Sequence, residues 1–594
     1  MTADRVHSTR DRLILRLLAE RNHRGHWTGE LASSALSTAT ATVALCLSGG
    51  HDQLVSAGLD WLERTQNDDG GWGDTTLSVS NISTSALCWA AFVIGHRDCN
   101  RSRSAEEWMR QAAGSLDPSR LADAIASRYG NDRTFSVPIL TVLAVAGLVP
   151  WQIVPQLPFE LAALPRSWYA QLGLPVVSYA LPALIAIGHV RHRNCRSRNW
   201  LTACARSISS ARTLDVLQRI QPSSGGFLEA VPLTSFVAIS LRASGYNDHP
   251  VLHRALQFLT AAVRADGSWP IDTNLATWVT TLSVTALGDR LTVEERGPIR
   301  EWILKQQYKV EHPYTGAAPG GWAWTDLPGG VPDADDTAGA LVALHRLGEH
   351  DDRVIRAAAL GIRWLLDLQN RDGGVPTFCR GWGRLPFDRS TPDLTAHALR
   401  AWSAWRPSVG GALRDRVDDG IGRALMFLKG TQRHDGAWTP LWFGNQFSPG
   451  EQNPVYGTSR VLSALHEVQA GSAMTARGAE WLLSVQNQDG GWGGDRGVTS
   501  SIEETSVAMS GLSRAAGERV HAAIDRGAVW LVHATEEGAV TPPSPIGLYF
   551  AKLWYFERLY PLIFAAKAMA RNIGFPEVPY ECRLDGAPDD RLSC

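Results

Sequence analysis

The chain has 594 residues, of which 44% are hydrophobic and 20% charged, and its formal net charge is −2. This composition is typical of a globular protein with a large interior, and the length predicts two domains. The near-zero net charge gives no indication of a nucleic-acid or polyacid partner. Tryptophan is unusually frequent, at 23 residues, and aromatic side chains combine a large buried area with electron-rich faces.

Residues 1–24 are polar and charged and lack the apolar core of a signal peptide. The eight cysteines show no paired spacing, so no zinc or redox motif is predicted and reduced cytoplasmic thiols are expected. Two apolar stretches lie at 137–154 and 172–188, and the second is interrupted by Pro175 and Pro182. Because both are shorter than the ~20 residues of a spanning helix, we predict no transmembrane segment and interpret them as buried helices.

A repeated motif organises much of the chain. Its clearest copies are QNDDGGW at 66–72, QRHDGAW at 432–438 and QNQDGGW at 486–492, with weaker copies at 221–227, 263–269 and 369–375. Each copy follows an amphipathic helical pattern and precedes another, and its Asp-Gly turn ends one helix and redirects the chain. The glutamine is predicted to hydrogen-bond the following helix, with the tryptophan packed beneath it. This array predicts an all-α fold of two α/α barrels built from helical-hairpin repeats.

The distribution of the copies also suggests domain limits, because a region without strong copies separates the first from the later ones. We expect residues 1–34 to be an N-terminal segment that joins the catalytic barrel. Residues 35–225 are predicted to form a second barrel, and residues 226–594 the catalytic barrel.

Three carboxylates lie within four residues at Asp333, Asp335 and Asp336, in the run VPDADDTA at 331–338. The segment PGGWAW at 319–324 precedes them closely. In a pocket of low dielectric constant, like charge and desolvation both raise carboxyl pKa values. One acid can then keep its proton at neutral pH and deliver it to a very weak base, such as a carbon–carbon double bond.

These residues carry a family resemblance. The repeats resemble the glutamine–tryptophan repeats of squalene–hopene and oxidosqualene cyclases, and residues 319–338 are similar to the acid motif of the squalene–hopene enzymes in order and spacing. The resemblance covers nearly the whole chain. It implies that Asp335 donates the proton and that Asp333 and Asp336 are its flanking carboxylates.

The run TPDLTAH at 391–397 is similar to the element that supports the acid in this family. The resemblance implies that His397 hydrogen-bonds the catalytic acid and that Asp393 supports the network. A cationic His397 would keep one neighbouring carboxylate ionised and orient the proton on another.

The resemblance also implies a set of aromatic residues that stabilise carbocations, since aromatic faces attract cations without acting as bases. Trp278 and Trp442 resemble active-site tryptophans of the family, whereas Trp324 stands where a phenylalanine is usual and Phe378 where a tyrosine is usual. Near the C-terminus, Tyr549 and Phe556 fall at cation-stabilising positions.

Several departures from the family pattern concern the opposite end of the cavity. The glutamine expected near Val231 and Pro232 is absent, the tryptophan expected near 174–175 is missing, and Lys552 is expected close to the cavity wall. The initiating end therefore looks intact and the terminating end remodelled.

The sequence favours a class II, protonation-initiated terpene cyclase acting on squalene or a related linear triterpene, with no metal and no organic cofactor. One alternative is a class II cyclase of a shorter prenyl diphosphate or a prenylated aromatic substrate, for which Lys552, Arg380 and Arg384 are candidate cations. Another is a non-catalytic or prenyltransferase-like barrel, although the zinc ligands of such subunits are not visible.

A lipid-like substrate implies a protein of the cytoplasm that associates peripherally, as a monotopic protein, with the cytoplasmic membrane. The apolar stretches at 137–154 and 172–188 are candidates for that surface. A homodimer is a further expectation from the resemblance.

Overall fold

The computed structural model describes residues 3–130, 132–165, 168–169, 180–378, 380 and 386–570. In these ranges the protein is mostly helical, with a few very short strands. The α-helices, in chain order, are α1 Ala3–Ala19, α2 Ala35–Ser48, α3 Asp52–Arg64, α4 Ile82–Ile94, α5 Asn100–Ala113, α6 Pro118–Tyr129, α7 Arg133–Val145, α8 Leu181–Asn194, α9 Trp200–Ile220, α10 Val231–Ala243, α11 Pro250–Ala261, α12 Ala276–Leu287, α13 Val293–Gln306, α14 Ala334–Leu347, α15 Asp352–Leu368, α16 Pro392–Trp405, α17 Gly411–Thr431, α18 Pro454–Glu467, α19 Ser472–Ser484, α20 Ile502–Leu512, α21 Glu518–Ala534 and α22 Tyr560–Ala570.

The strands join distant parts of the chain into two small antiparallel sheets. In one, β1 (Ser33–Ser34) pairs with β2 (Trp269–Pro270). In the other, β4 (Ile546–Leu548) lies between β3 (Phe443–Gly444) and β5 (Leu553–Tyr555).

The repeated motif works as predicted at the level of hydrogen bonds. The Gln486 side-chain amide donates to the Gly490 carbonyl at 2.7 Å and to the Ala523 carbonyl of α21 at 2.9 Å. The indole N–H of Trp492 donates to the Leu482 carbonyl at 2.9 Å, which fixes the turn against the end of α19. Gly490 has a φ of 93°, a conformation that favours glycine and explains the Asp-Gly turn.

Six helices form a closed inner ring in which each packs against the next, and the last returns to the first; these are α12, α14, α16, α18, α20 and α22. The remaining helices of this half, among them α1, α13 and α15, pack around the ring. Inner helices are apolar on nearly every side, and every residue of α12 is buried. The outer α15 instead buries one face, as its amphipathic sequence predicts.

The first half of the chain forms a second ring, in which α2, α4, α7, α8 and α10 pack successively and α10 returns to α2. The outer helices α3, α5, α9 and α11 each pack against a member of this ring. The two rings confirm the predicted all-α architecture of two α/α barrels.

The buried apolar side chains show how the chain is divided between the rings. One cluster runs from Ala35 to Trp269, and the other contains residues 6–27 together with 276–569. The expected limit at 225/226 therefore differs from the limit between the clusters. The reason is that α10 closes the first ring between α8 and α2, which brings residues 226–269 into the first cluster.

The N-terminal segment packs with the second ring through α1, which contacts α22. Across the described ranges, no helix combines the length and the apolar character needed to cross a membrane.

Candidate active site

The three clustered aspartates form the first turn of the inner helix α14. Asp333 is the N-cap residue, and its Oδ1 accepts hydrogen bonds from the backbone N–H groups of Asp335 and Asp336 at 2.9 Å each. A bridge between Trp322 and Asp333 anchors this turn to the preceding aromatic segment. The N-terminus of α14 therefore presents all three carboxyl groups to a cavity between the two barrels.

Asp335 and His397 form a close pair. The Nδ1 atom of His397, on the neighbouring inner helix α16, lies 2.5 Å from Oδ1 of Asp335, and both side chains are largely buried. The Trp278 ring meets the imidazole edge-on, with 6.1 Å between the ring centroids. Sequence-predicted residues from three successive inner helices thus meet at one point.

The protonation of His397 differs from the expectation. Burial lowers the pKa of His397 to about 4, and the Asp335 carboxylate only partly opposes this effect. A neutral imidazole is therefore favoured at neutral pH, in place of the cationic histidine expected from the sequence. The correction arises because the sequence does not reveal how completely this side chain is removed from water.

The flanking aspartates hold protons strongly. Burial raises the pKa of Asp333 to about 7, although the backbone and side-chain hydrogen bonds at Asp336 and Asp335 lower it. The pKa of Asp336 is raised well above its ordinary value by burial and by the charges of Asp333 and Asp335. The cluster thus behaves as like-charged carboxyl groups that cannot all ionise together.

Asp393 lies one turn before His397 on α16. Its Oδ1 accepts a hydrogen bond from the Thr391 hydroxyl, and burial raises its pKa to about 6. Asp393 is close enough to Asp335 for the charges to interact, but its carboxyl group is not part of the cavity wall.

The cavity has a volume of about 620 Å³ and receives side chains from both barrels. Four of the six predicted aromatic residues line it: Trp278, Trp324, Phe378 and Trp442. The Phe378 ring lies edge-on to two of these tryptophans. The distances between ring centroids are 6.4 Å to Trp324 and 5.9 Å to Trp442. Backbone N–H groups at the start of α12 donate to the Trp324 carbonyl, which holds this wall in place.

Tyr549 and Phe556 do not line the cavity, so their predicted position was wrong. Tyr549 begins a short 3₁₀ turn after β4 and packs against Gly444 of β3. Phe556 follows β5 directly, and its carbonyl accepts a hydrogen bond from the Ala32 backbone. The pairing of β4 with β5 directs Tyr555 into the cavity instead.

Other aromatic residues of the wall were missed, among them Phe387, Phe443, Tyr555 and Tyr560. Tyr560 is the first residue of α22, and its hydroxyl lies 3.5 Å from that of Tyr555. A signal was present in the sequence: residues at the start of inner helices face the cavity, as Trp278 does in α12 and Asp335 in α14. The apolar run of α22, interrupted by Lys567 near its end, marks it as such a helix.

The first barrel contributes mostly apolar side chains to the cavity wall, together with a few polar ones. Tyr129, Asp132 and Arg133 line it together with Lys552. Lys552 pairs with Glu451, whereas within the described ranges the Arg133 side chain makes no ion pair or hydrogen bond. Arg380 is exposed and not part of the wall, and Arg384 lies outside the described residues, as do residues 174–175.

Asp272 is a further cavity residue that the sequence reading missed. Its Oδ2 accepts a hydrogen bond from the Trp324 indole N–H at 3.1 Å, and its Oδ1 accepts one from the Thr273 backbone at 2.7 Å. Burial, and secondly the charge of Glu229, raise its pKa well above the ordinary value.

Two α/α barrels around a cavity that carries an acid–histidine pair and aromatic walls define a class of protein, the class II terpene cyclases. The chain belongs to the squalene–hopene cyclase family. The family's C-terminal domain model matches residues 275–573, and its N-terminal domain model matches residues 11–199.

Individual relatives span several named activities. The chain is 25% identical to a probable squalene–hopene cyclase of Sinorhizobium fredii, over 94% of this chain and 95% of that protein. It is 30% identical to a drimenyl diphosphate synthase of Streptantibioticus cattleyicolor, over 45% and 48%. The solved ent-copalyl diphosphate synthase of Streptomyces platensis has the same fold, with a TM-score of 0.58 and 18% identity over 96% of this chain and 99% of that one.

Proposed function

We propose that this protein protonates the terminal olefin of a linear triterpene such as squalene and cyclises the chain through carbocation intermediates. The observation that carries the proposal is the close His397–Asp335 pair at the wall of a mostly apolar, aromatic cavity. Relatives named squalene–hopene cyclases, which align over most of the chain, support the choice of substrate.

Asp335 is the proposed catalytic acid. When the neutral His397 carries its proton on Nδ1, it donates a hydrogen bond to Oδ1 of Asp335, and the carboxyl proton resides on Oδ2. This donation stabilises the carboxylate that remains after proton transfer. The neutral pair also agrees with the burial that lowers the pKa of His397.

The position of Asp335 at the start of α14 also stabilises the carboxylate that remains after proton transfer. The N-terminus of a helix carries a partial positive charge, which favours an anion in the first turn. Asp333 caps this turn and is thereby a positioning residue, while Asp336 retains a proton and so adds little negative charge. The reaction transfers a proton and forms carbon–carbon bonds, so this chemistry requires no metal and no organic cofactor.

After protonation, the positive charge moves along the folded chain past Trp278, Trp324, Phe378 and Trp442. The faces of these rings stabilise cations but do not act as bases. Removal of a proton from the cation by a base would end the reaction early. We assign these four residues as cation-stabilising groups, with Asp393 supporting the acid network from behind the wall.

A second substrate class is favoured by a specific observation. Arg133 and Lys552 stand in the cavity wall, and Arg133 has no partner among the described residues. A hydrocarbon gives a guanidinium group nothing to bind, whereas a diphosphate does. The named activity of the drimenyl diphosphate synthase relative agrees with this alternative, in which a shorter prenyl diphosphate is cyclised.

The deciding experiment is product analysis by gas chromatography–mass spectrometry after incubation of the detergent-solubilised protein with squalene and, in parallel, with geranylgeranyl diphosphate. Products of the diphosphate are dephosphorylated first, and each substrate is tested with and without magnesium. A cyclic triterpene that is lost in Asp335→Asn would establish the leading proposal. A cyclic product from the diphosphate alone would establish the second class, and no product from either would favour a non-catalytic barrel.

A further inference from the structure

A single carboxylate bridges two cations at the end of the cavity opposite the acid. Oε2 of Glu451 pairs with the Lys552 ammonium group, and its Oε1 lies 3.5 Å from Nη2 of Arg128. Lys552 belongs to the cavity wall, and Arg128 lies in the last turn of α6 in the first barrel. Glu451 is not part of the wall, so its negative charge holds the ammonium group from behind it.

These three side chains are largely removed from water. Their exposed fractions are 23% for Glu451, 24% for Lys552 and 18% for Arg128. Charges at such positions cost free energy unless they are paired, which distinguishes this arrangement from an ordinary surface ion pair. Nη2 of Arg128 also donates to the Lys552 carbonyl at 3.3 Å. Both cations are therefore engaged by groups of the protein itself.

The backbone holds both members of the Glu451–Lys552 pair in an unusual conformation. Glu451 ends the short 3₁₀ helix Pro449–Glu451 with a φ of 60°, and Lys552 follows the 3₁₀ helix Tyr549–Ala551 with a φ of 52°. This left-handed conformation is uncommon and costly for residues other than glycine. Since two such residues meet in one ion pair, the fold determines the geometry of the pair, as is typical of functional positions.

A buried glutamate fixes the segment that carries Glu451. Oε1 of Glu504, which is 1% exposed, accepts hydrogen bonds from the Asn445 and Asn453 side chains at 3.0 and 2.9 Å. These two asparagines flank Glu451, and the Asn445 backbone N–H donates to the Glu451 carbonyl at 3.2 Å. The segment is therefore held on both sides of Glu451, which keeps the carboxylate beside Lys552.

The pairing determines which cations the cavity offers to a ligand. Of Arg128, Arg133 and Lys552, only Arg133 has a side chain without an ion pair or hydrogen bond among the described residues. A diphosphate carries several negative charges and is bound by groups of cations. An uncharged hydrocarbon instead requires neutralised cations in the wall, because an unpaired charge beside it would lose its hydration.

We propose that Glu451 is a specificity-determining residue that discriminates against anionic substrates. By holding the Lys552 ammonium group and the Arg128 guanidinium group, it withholds both from an anionic head group and favours an uncharged polyprenyl chain. The proposal rests on the proposed function, in which the leading substrate is a hydrocarbon. Discrimination of this kind works by weakening the binding of the wrong substrate.

Equilibrium binding of two matched ligands tests the proposal. Geranylgeraniol and geranylgeranyl diphosphate have the same hydrocarbon chain and differ in the head group alone. Isothermal titration calorimetry measures both affinities without magnesium, in the full-length Asp335→Asn protein, which should consume neither ligand. Adding Glu451→Gln should strengthen diphosphate binding about tenfold, because the two cations become available, and should not change the affinity for geranylgeraniol.

Further variants in the same Asp335→Asn protein separate charge from structure. Glu451→Asp retains the carboxylate, and aspartate tolerates the left-handed conformation, so diphosphate binding should stay close to that of the parent protein. Combining Lys552→Gln with Glu451→Gln should remove most of the gain, because the released ammonium group is then absent. Glu480→Gln breaks an exposed ion pair with Arg519 and is the matched control, which should change neither affinity.

Two results would overturn the proposal. One is unchanged or weaker diphosphate binding in Glu451→Gln. The other is an equal gain for geranylgeraniol, because the substitution would then act through the shape of the wall and not through charge. Thermal unfolding checks that each variant folds, and Glu451→Asn, which suits the left-handed conformation, replaces Glu451→Gln if the latter does not. Because binding is measured without turnover, failure of the proposed function in product analysis would leave this test unaffected.

Discussion

The two ends of the cavity differ in how the chain builds them. At the acid end, Trp278, Asp335 and His397 come from the first two turns of three successive helices in one ring. At the opposite end, Tyr129 and Arg133 come from the first barrel, whereas Lys552 comes from a turn between two strands of the second. The acid end is therefore held by the packing of a single core, and the opposite end by the contact between two cores.

The two ends also differ in how their charged groups are buried and paired. The acid end is largely buried, and its carboxyl groups interact with one another and with an imidazole at 2.5 Å. The opposite end contains an exposed arginine without a partner in the described structure. We infer that the acid end determines whether cyclisation starts, and that the opposite end determines which substrate is accepted.

The largest expected effect tests the acid end. Asp335→Asn should reduce turnover at least about 10³-fold with either substrate, because an amide has no proton acidic enough for an olefin. The exposed Asp289→Asn serves as the matched control and should leave turnover unchanged. Product analysis and thermal unfolding measure the two properties separately. Substantial product from a well-folded Asp335→Asn protein would exclude Asp335 as the acid.

His397 should have the next largest effect. His397→Ala should reduce turnover about 10²-fold, and His397→Gln should recover part of the loss because its amide can still donate to Oδ1 of Asp335. Nitrogen NMR of labelled protein, with the His397→Gln spectrum used for assignment, should show a neutral imidazole with its proton on Nδ1 at pH 7. A cationic imidazole would contradict the neutral pair and restore the expectation drawn from the sequence.

The aromatic wall next to the acid should show a smaller effect. Trp278→Leu should lower turnover about tenfold and release prematurely terminated products, because the ring face no longer stabilises the cation. Trp278→Phe should retain most of the rate. Trp302→Phe, in the outer helix α13 and away from the cavity wall, is a suitable control. Equal rates for the leucine and phenylalanine variants would show that volume alone matters at this position.

The opposite end should respond in a substrate-dependent way. Arg133→Gln should raise KM for a prenyl diphosphate about tenfold or more, because a charge-assisted contact is lost, and should not change KM for squalene. Arg120→Gln, on the neighbouring helix α6 and outside the cavity wall, is the control. Unchanged kinetics with both substrates would mean that Arg133 does not distinguish between substrate classes.

The acid end and the opposite end also differ in how well the sequence predicts them. The acid cluster was predictable because its three carboxylates lie within four residues at the start of one helix. His397 lies 62 residues away, so only the family resemblance connected it to Asp335. Its protonation was not predictable in the same way, because the burial that lowers the pKa of His397 is a property of the closed ring.

The residues at the opposite end of the cavity were much harder to predict from the sequence. Arg133 and Asp272 carry no motif, and they meet the cavity only when the barrels close and pack together. Tyr549 and Phe556 were misplaced for a similar reason, since the pairing of β4 with β5 decides that Tyr555 faces inward. Residues that act through tertiary contacts between distant segments have no local pattern that reveals them.

Asp272 provides the smallest and most discriminating test, because its contact with Trp324 connects the aromatic wall to the polar groups around Glu229. Burial raises the pKa of Asp272 well above 3.8, so the folded protein keeps a proton that the unfolded chain releases. By linkage, the contribution of Asp272 to stability falls as pH rises above about 4.

Asp272→Asn lacks this titration but has a single acceptor oxygen for the two hydrogen bonds from Trp324 and Thr273. At pH 5 it should therefore be less stable by about 1 kcal/mol. The difference should shrink or reverse by pH 8, where keeping Asp272 protonated weakens the wild type. Thermal unfolding at both pH values measures this, with Asp289→Asn as a control. A difference that does not change with pH would mean that Asp272 is ionised in the folded protein, and the cavity would then contain a fixed negative charge in contact with Trp324.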